Sequence, residues 1–153
     1  MLEPSTSVSE VQVAATVLAS MRRQVSWPQL SVAIRELFDQ IYAFLRDGSV
    51  EKTGHNVCIY HAPTSQGAEL EAGVQVAGPF EGAGAIVSST TPSGLAAWSV
   101  HLGPYDQLGR THDAIGAWCR ARKLSPGLRW EVYGDWTDDP RELRTDVYWL
   151  VEP

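Results

Sequence analysis

Glu131 is the side chain in this sequence that is best placed to bind or activate a small molecule. It is the one carboxylate within residues 127–134, a run of apolar and β-forming residues bounded by glycines. On a strand, Glu131 and Tyr133 share a face, because side chains alternate with a period of two. An acid beside aromatic rings is the chemistry that holds a large, flat cation. The alternative is an edge strand on which Glu131 points to water.

Length and composition indicate one soluble globular domain. The chain has 153 residues, of which 44% are hydrophobic and 20% charged, so it can bury a core and is too apolar for disorder. A formal net charge of -6 disfavours binding to nucleic acid backbones and suits cationic ligands. Because we find neither a signal peptide nor an apolar run of about 20 residues, we expect a cytoplasmic protein without membrane association.

The sequence shows no spacing that is typical of a metal or cofactor site. Metal-ligand spacing is missing among the cysteines and histidines, which are Cys58, Cys119, His55, His61, His101 and His112. Gly78, Gly82 and Gly84 do not follow a strand as a phosphate-binding loop would. Residues 88–91 lack a nucleophile elbow and are expected to form a loop. We therefore expect neither a cofactor nor a metal.

The hydrophobic pattern predicts short strands around two amphipathic helices. One helix runs from Ser26 and Pro28 to about Asp47, and the other from Pro104 to about Lys123. The strands that the pattern predicts are residues 11–25 (one or two strands, with helix as the alternative), 57–60, 70–76, 95–102, 127–136 and 143–151. The remaining segments are residues 1–9, which are expected to fray, and residues 78–84, which are expected to connect the two halves.

An offset of 73 residues relates the two halves of the sequence. It carries Tyr60 onto Tyr133 and Leu70 onto Leu143, with an unchanged hairpin length. We therefore predict a single domain built from a duplicated strand–helix–strand–strand unit. The two units are about residues 11–77 and 85–151. The predicted class is α+β, with one antiparallel sheet, two helices over one face and a pseudo-twofold relationship. A groove at the unit boundary is the expected ligand site.

The same offset places Glu131 where the first half has Cys58. A small, nearly apolar residue in one half is thus replaced by a carboxylate in the other. A buried carboxylate costs several kcal/mol unless it is paired or protonated. This difference favours a functional role for Glu131 over an exposed position.

Short motifs follow one another at regular spacing in the second half. They are His101-Leu102-Gly103-Pro104-Tyr105, Trp118, Trp130-Glu131-Val132-Tyr133 and residues 142–148. Together with the internal duplication, they resemble the GyrI-like small-molecule-binding family, which includes the effector-binding domains of bacterial multidrug-responsive regulators. The resemblance covers about residues 10–152. It implies a pseudo-twofold α+β domain with a central aromatic pocket.

The resemblance also implies a role for Glu131, since family members meet cationic, planar, hydrophobic ligands with an acid on the penultimate strand. The further candidates for ligand binding are Tyr133, Tyr105, Trp98, Trp149 and Trp118.

Three of these candidates depend on which way their side chains point. Trp149 is preferred to Tyr148 because it continues an apolar face, and Trp118 is slightly favoured as a core residue. Trp98 and His101 reach one pocket only if their strand twists or bulges. His101 is alternatively a hydrogen-bonded surface residue.

Three functions are open at this point. The resemblance favours a stand-alone binder of hydrophobic cations, because the repeat leaves no room for a DNA-binding domain and direct nucleic acid binding is not expected. Some family members look like hydrolases of electrophilic, cyclopropane-bearing toxins. In that case Glu131 would orient or deprotonate water, with Tyr105 or His101 assisting. Other relatives bind DNA gyrase, so the third alternative is a protein that binds and inhibits a partner such as gyrase.

Overall fold

The computed structural model describes residues 7–153, which form two compact units. The first unit consists of residues 14–92, and the second combines residues 7–13 with residues 93–153. These bounds differ from the units expected from the sequence, because the N-terminal strand belongs with the second half. The fraying expected of residues 1–6 lies outside the described residues, whereas Ser9 already begins a strand.

The described residues contain eight strands and two α-helices. The strands are β1 (Ser9–Val13), β2 (Val17–Ser26), β3 (Lys52–His61), β4 (Gly67–Val76), β5 (Val87–Thr90), β6 (Gly94–Leu102), β7 (Ser125–Tyr133) and β8 (Arg144–Glu152). The helices are α1 (Leu30–Leu45) and α2 (Leu108–Ala121), and each follows a 3-10 turn, at Trp27–Gln29 and Tyr105–Gln107. The predicted α+β class, with antiparallel strands and two helices, is confirmed.

In the first unit, α1 packs against strands in the order β3-β4-β2-β5. Leu37, Phe38 and Ile41 are buried on one side of the helix, as the apolar stripe predicts. The helix ends shortly before Gly48, which adopts a φ of 77° that residues with a side chain avoid.

In the second unit, α2 packs against strands in the order β1-β6-β8-β7. The buried apolar core of this unit is formed by Ala97, Leu108, Ile115, Cys119, Val147, Trp149 and Val151. This core supports the strand face and the helix face that carry the candidate site.

The prediction of one or two strands over residues 11–25 is confirmed, since β1 and β2 lie there, and β1 pairs with β6 and β2 with β4. One other segment differs from its prediction. The prediction of a loop at residues 88–91 is wrong, since Val87–Thr90 is a strand that pairs with β2. Its serines have little intrinsic preference for a strand. Pairing with β2 and the hydrogen bond from Ser89 to Glu71 hold it, and both are contacts that a local pattern cannot reveal.

The two hairpins also differ in length. Tyr60 lies opposite Leu70, whereas Tyr133 lies opposite Thr145. The offset between the halves is 133 − 60 = 73 on the first strand of each hairpin and 145 − 70 = 75 on the second. The prediction of an unchanged hairpin length is therefore wrong by two residues. A 3-10 turn at Pro140–Glu142 lies in the longer connection.

Candidate functional site

Glu131 is buried on the face of β7 that packs against α2. The residue is 4% exposed and lies opposite Val147, which belongs to the core together with Ile115 of α2. Opposite residues of an antiparallel pair point to the same side, so Glu131 also faces the helix. The alternative of a carboxylate that points to water from an edge strand is therefore excluded.

Two donors bind the two carboxylate oxygens of Glu131. The Tyr133 hydroxyl donates to Oε1 at 2.6 Å, and Nε2 of His112 lies 2.8 Å from Oε2. Tyr133 shares a strand face with Glu131, whereas His112 approaches it from α2. These hydrogen bonds offset part of the cost of removing a carboxylate from water.

Trp149 determines which nitrogen of His112 carries the proton. An indole N–H only donates, and Nε1 of Trp149 lies 2.9 Å from Nδ1 of His112. Nδ1 is therefore an acceptor, and neutral His112 carries its proton on Nε2, from which it donates to Glu131. A chain of hydrogen bonds thus runs from Trp149 through His112 and Glu131 to Tyr133.

Aromatic rings flank this chain. The rings of Tyr105 and Tyr133 meet edge to face with centroids 5.6 Å apart, and those of His112 and Trp149 lie 6.0 Å apart. Tyr105 is 39% exposed, so the aromatic group reaches the surface. Burial raises the pKa of the Tyr105 hydroxyl above its ordinary value. We call these five residues, Glu131, Tyr133, His112, Trp149 and Tyr105, the Glu131 site.

His101 is buried, and both of its nitrogens are used within the protein. Its Nε2 lies 2.9 Å from the Pro104 carbonyl oxygen, which only accepts, so Nδ1 accepts from the Thr111 hydroxyl at 3.0 Å. These contacts hold the turn before α2 against the helix. Thr145 on β8 lies opposite His101 on one side and opposite Tyr133 on the other. Its buried hydroxyl has no hydrogen-bond partner within residues 7–153.

The structure does not bring Trp98 to the Glu131 site. The pairing of β6 with β8 is regular, without the bulge that would bring Trp98 and His101 to one side. Trp98 lies on the opposite face, where its Nε1 donates to Asp146 at 3.1 Å. Tyr148 lies on that same face and stacks on Trp130, with ring centroids 5.1 Å apart.

Trp149 lies on the face of Glu131, whereas Trp118 is a partly buried residue at the edge of the core. The Arg122 guanidinium lies 4.1 Å from the Trp118 ring centroid, and the Arg129 guanidinium lies 3.9 Å from that of Trp149. Of the predicted ligand-binding residues, the structure thus brings together Glu131, Tyr133, Tyr105 and Trp149.

His112 is a site residue without a predicted role, although a sequence pattern indicates which face of α2 it lies on. Leu108, His112, Ile115 and Cys119 recur at helical spacing. The three apolar members of this set are buried, which places the imidazole on the inner face of α2. Metal-ligand spacing alone does not detect such a stripe.

The first unit has apolar residues where the second has this polar pair. The helices start 108 − 30 = 78 residues apart, so His112 corresponds to position 112 − 78 = 34, which is Ile34. Glu131 corresponds to Cys58, which is fully buried. The second unit therefore has a histidine and a carboxylate where the first unit has an apolar pair.

A second buried carboxylate, Glu71, lies in the first unit. Its Oε2 accepts from the hydroxyls of Ser20 at 2.8 Å and Ser89 at 2.6 Å. Its Oε1 lies 2.8 Å from Nε2 of His61 and 3.3 Å from a guanidinium nitrogen of Arg22. Burial alone would raise the pKa of Glu71, but the hydrogen bonds from Ser89, His61 and Ser20 and the charge of Arg22 outweigh it and lower the pKa. This carboxylate ties β5 to β2 and β4.

Neither a metal cluster nor a membrane span is present in the part of the chain that the structure describes. Among residues 7–153, no group of three or more His, Cys, Asp or Glu side chains is arranged to hold a metal ion. Within the same residues, no helix combines the length and apolarity that a bilayer crossing needs.

The sequence of residues 6–152 matches the GyrI-like small molecule binding domain. Because this match spans nearly the whole chain, the protein belongs to the GyrI-like family and is a small-molecule-binding domain, as the sequence motifs predict. Among curated proteins, none matches the sequence.

Solved structures share this fold at low sequence identity. The EcmrR C-terminal domain has a TM-score of 0.79 and 18% identity, over 96% of this chain and 98% of that chain. EcmrR in its complex with DNA has a TM-score of 0.83 and 18% identity, over 97% of this chain, which spans 58% of that protein.

Two further structures represent other ligand states and activities of the same fold. SAV2435 bound to tetraphenylphosphonium has a TM-score of 0.59 and 10% identity, over 95% of each chain. A hydrolase from Listeria innocua has a TM-score of 0.63 and 10% identity, over 98% of this chain and 94% of that chain.

Proposed function

We propose that this protein binds hydrophobic, planar, cationic small molecules, as a multidrug-type binder does, and that Glu131 selects their charge. The observation that supports this most directly is a buried carboxylate at the centre of an aromatic group that reaches the surface through Tyr105. A carboxylate attracts a cation more strongly where water is excluded, and ring faces add roughly 0.5–2 kcal/mol.

The structure of SAV2435 with tetraphenylphosphonium supplies a suitable probe. Tetraphenylphosphonium is a permanent cation with four aromatic rings, so its charge does not change with pH. Triphenylphosphine oxide is a neutral compound of related shape and serves as the control ligand.

The experiment measures both ligands by titration calorimetry against the natural protein and Glu131→Gln. The substitution keeps the shape of the side chain and removes its charge. We expect the cation to bind about 10-fold or more weakly to the variant, which corresponds to 1.4 kcal/mol. The neutral ligand should bind both proteins equally. If the cation loses no affinity, or if both ligands weaken to the same extent, Glu131 does not select charge.

Hydrolysis of an electrophile at the same residues is the second candidate, because a Listeria innocua protein with this fold is named as a hydrolase. The hydrogen bonds of His101 argue against its use as a general acid or base, which leaves Glu131 and Tyr105 for that role. Mass spectrometry of an electrophilic cyclopropane after incubation tests this candidate. Turnover that disappears in Glu131→Gln would favour a hydrolase over a binder.

A cytoplasmic protein partner such as DNA gyrase is the third candidate and follows from the family alone. A pull-down with purified gyrase tests it. Retention of gyrase that survives Glu131→Gln would assign the interaction to another surface.

A further inference from the structure

His112 is held between two groups that leave it only one neutral form. Trp149 donates to Nδ1, and Nε2 donates to the Glu131 carboxylate. The imidazole exposes 19% of its side chain, so a proton from solvent can reach it.

A second proton on His112 would change both contacts. It would have to bind Nδ1, where it would face the indole N–H of Trp149, and two donors cannot bond to each other. The resulting imidazolium would form an ion pair with Glu131 and neutralise the carboxylate. Protonation of His112 would therefore break the contact with Trp149 and keep the contact with Glu131.

We propose that His112 is a specificity-determining residue of the Glu131 site, through which a proton and an organic cation compete for the same carboxylate. This inference rests on the proposed function. With neutral His112 the pair carries one negative charge and attracts a cation. With protonated His112 the pair has no net charge, and the attraction is lost. Cation affinity is therefore high at alkaline pH and falls as the pH is lowered, because imidazole changes charge between about pH 5 and 8.

The elements packed against α2 bring few other titratable groups to His112. Those on the inner faces of these elements are Glu131, Tyr133 and Arg129 on β7, His101 on β6 and Tyr105 in the preceding turn. The inner face of β8 contributes only Thr145, Val147, Trp149 and Val151, which do not titrate. Arg110 and Asp113 flank His112 on α2 itself. His101 is the other histidine in this group, so the test must separate the two.

The experiment measures the dissociation constant of tetraphenylphosphonium by calorimetry at pH 8 and pH 6. The readout is the ratio of the two constants, so a uniform change of affinity in a variant does not enter it. Couplings between two ligands of one protein are typically 5- to 150-fold, and we expect the natural protein to bind about 10-fold more weakly at pH 6. For the neutral triphenylphosphine oxide, the ratio of the two dissociation constants should be about one.

Two variants should change the ratio in opposite ways. Glutamine can donate to Glu131 and accept from Trp149 but does not titrate, so His112→Gln should reduce the ratio to about one. Trp149→Phe removes the indole donor that a second proton on His112 Nδ1 would face, so its ratio should exceed that of the natural protein. A residue that only packs would give neither result.

His61→Gln is the matched control, because His61 also pairs with a buried carboxylate, Glu71, but lies in the other unit. It should keep the ratio of the natural protein. A ratio that persists in His112→Gln overturns the proposal and assigns the pH dependence to another group, with His101 the first to be examined.

The outcomes separate this inference from the proposed function. If Glu131→Gln weakens the cation at pH 8 while the natural protein shows a ratio near one, the competition is refuted and the charge selector stands. If tetraphenylphosphonium binds the natural protein and Glu131→Gln equally, or binds neither, both proposals are refuted.

Discussion

Cys58 and Glu131 occupy equivalent positions in the two hairpins. Cys58 lies opposite Ala72 and Glu131 opposite Val147, at the offsets of 131 − 58 = 73 and 147 − 72 = 75 that relate the hairpins elsewhere. The first unit thus shows how the position of Glu131 packs when an apolar residue, Cys58, occupies it. The difference between the units isolates what the carboxylate adds, and it defines the first test.

Exchanging the polar pair for its apolar counterpart should separate stability from binding. Replacing a buried charged pair by apolar residues is often neutral or stabilising by about 1–4 kcal/mol, whereas removing one partner is strongly destabilising. We expect Glu131→Cys with His112→Ile to be at least as stable as either single variant, and to lose tetraphenylphosphonium binding. Urea unfolding of the four proteins measures this cycle. A double variant that is less stable than either single variant, or that still binds tetraphenylphosphonium, would contradict this expectation.

Removal of the Tyr133 hydroxyl tests the hydrogen bond to the buried charge. Tyr133→Phe keeps the ring contact with Tyr105 and leaves Glu131 Oε1 without this donor. Hydrogen bonds to charged groups contribute about 1.5–3 kcal/mol and neutral ones about 0.5–1.5 kcal/mol. Tyr42→Phe is the control, since the Tyr42 hydroxyl donates to the neutral amide oxygen of Asn56. If urea unfolding shows that Tyr133→Phe and Tyr42→Phe lower the free energy of unfolding equally, Glu131 is not charged in the folded protein.

The packing of α1 gives a prediction for stability alone. Phe38 is buried against the strands of the first unit, and Phe38→Ala should lower the free energy of unfolding by roughly 3–5 kcal/mol. Val32 lies on the same helix and is 47% exposed, so Val32→Ala should change it by less than about 0.5 kcal/mol. A loss below about 1 kcal/mol for Phe38→Ala would refute this packing.

Glu71 should make the stability of the protein dependent on acid pH. Its pKa is lower in the folded state than the ordinary value of 4.5, so the unfolded chain takes up a proton first as the pH falls. The stabilisation is present above pH 4.5 and is lost as the pH falls through the folded-state pKa.

Glu71→Gln should therefore destabilise the protein by roughly 1–3 kcal/mol at pH 7 and by progressively less below pH 4.5. Urea unfolding at several pH values measures the difference. Glu36→Gln is the control, because Glu36 forms an exposed ion pair with Arg23 and should change stability little. A difference for Glu71→Gln that does not shrink in acid would contradict the lowered pKa.

Elements with a local pattern were predictable from the sequence, whereas those held by distant contacts were not. The apolar stripe of α1 and the alternation of β4 correspond to observed elements, because burial on one side repeats with the period of the element. Strand β5 has no such pattern, since its serines are held by β2 and Glu71. The two-residue difference between the hairpins depends on how one turn folds.

The site divides in the same way. The position of Glu131 on a strand beside Tyr133 followed from period-two alternation, and the structure places both side chains against α2. The part played by His112 depends on α2 crossing β7, and sequence spacing does not encode that crossing. Trp98 lies on the other side because β6 stays regular up to its last residue.

The second unit is assembled from two separate stretches of the chain, and this has a consequence for folding during synthesis. Ser9 pairs with Trp98, which lies 98 − 9 = 89 positions later in the sequence, with the whole first unit between them along the chain. Residues 14–92 emerge from the ribosome before β6 does, so the first unit can close while β1 still lacks its neighbour. Contacts of such long separation form slowly. The strand that is made first is thus among the last to be paired, and until then the polar backbone of β1 is open to any other strand edge in its surroundings.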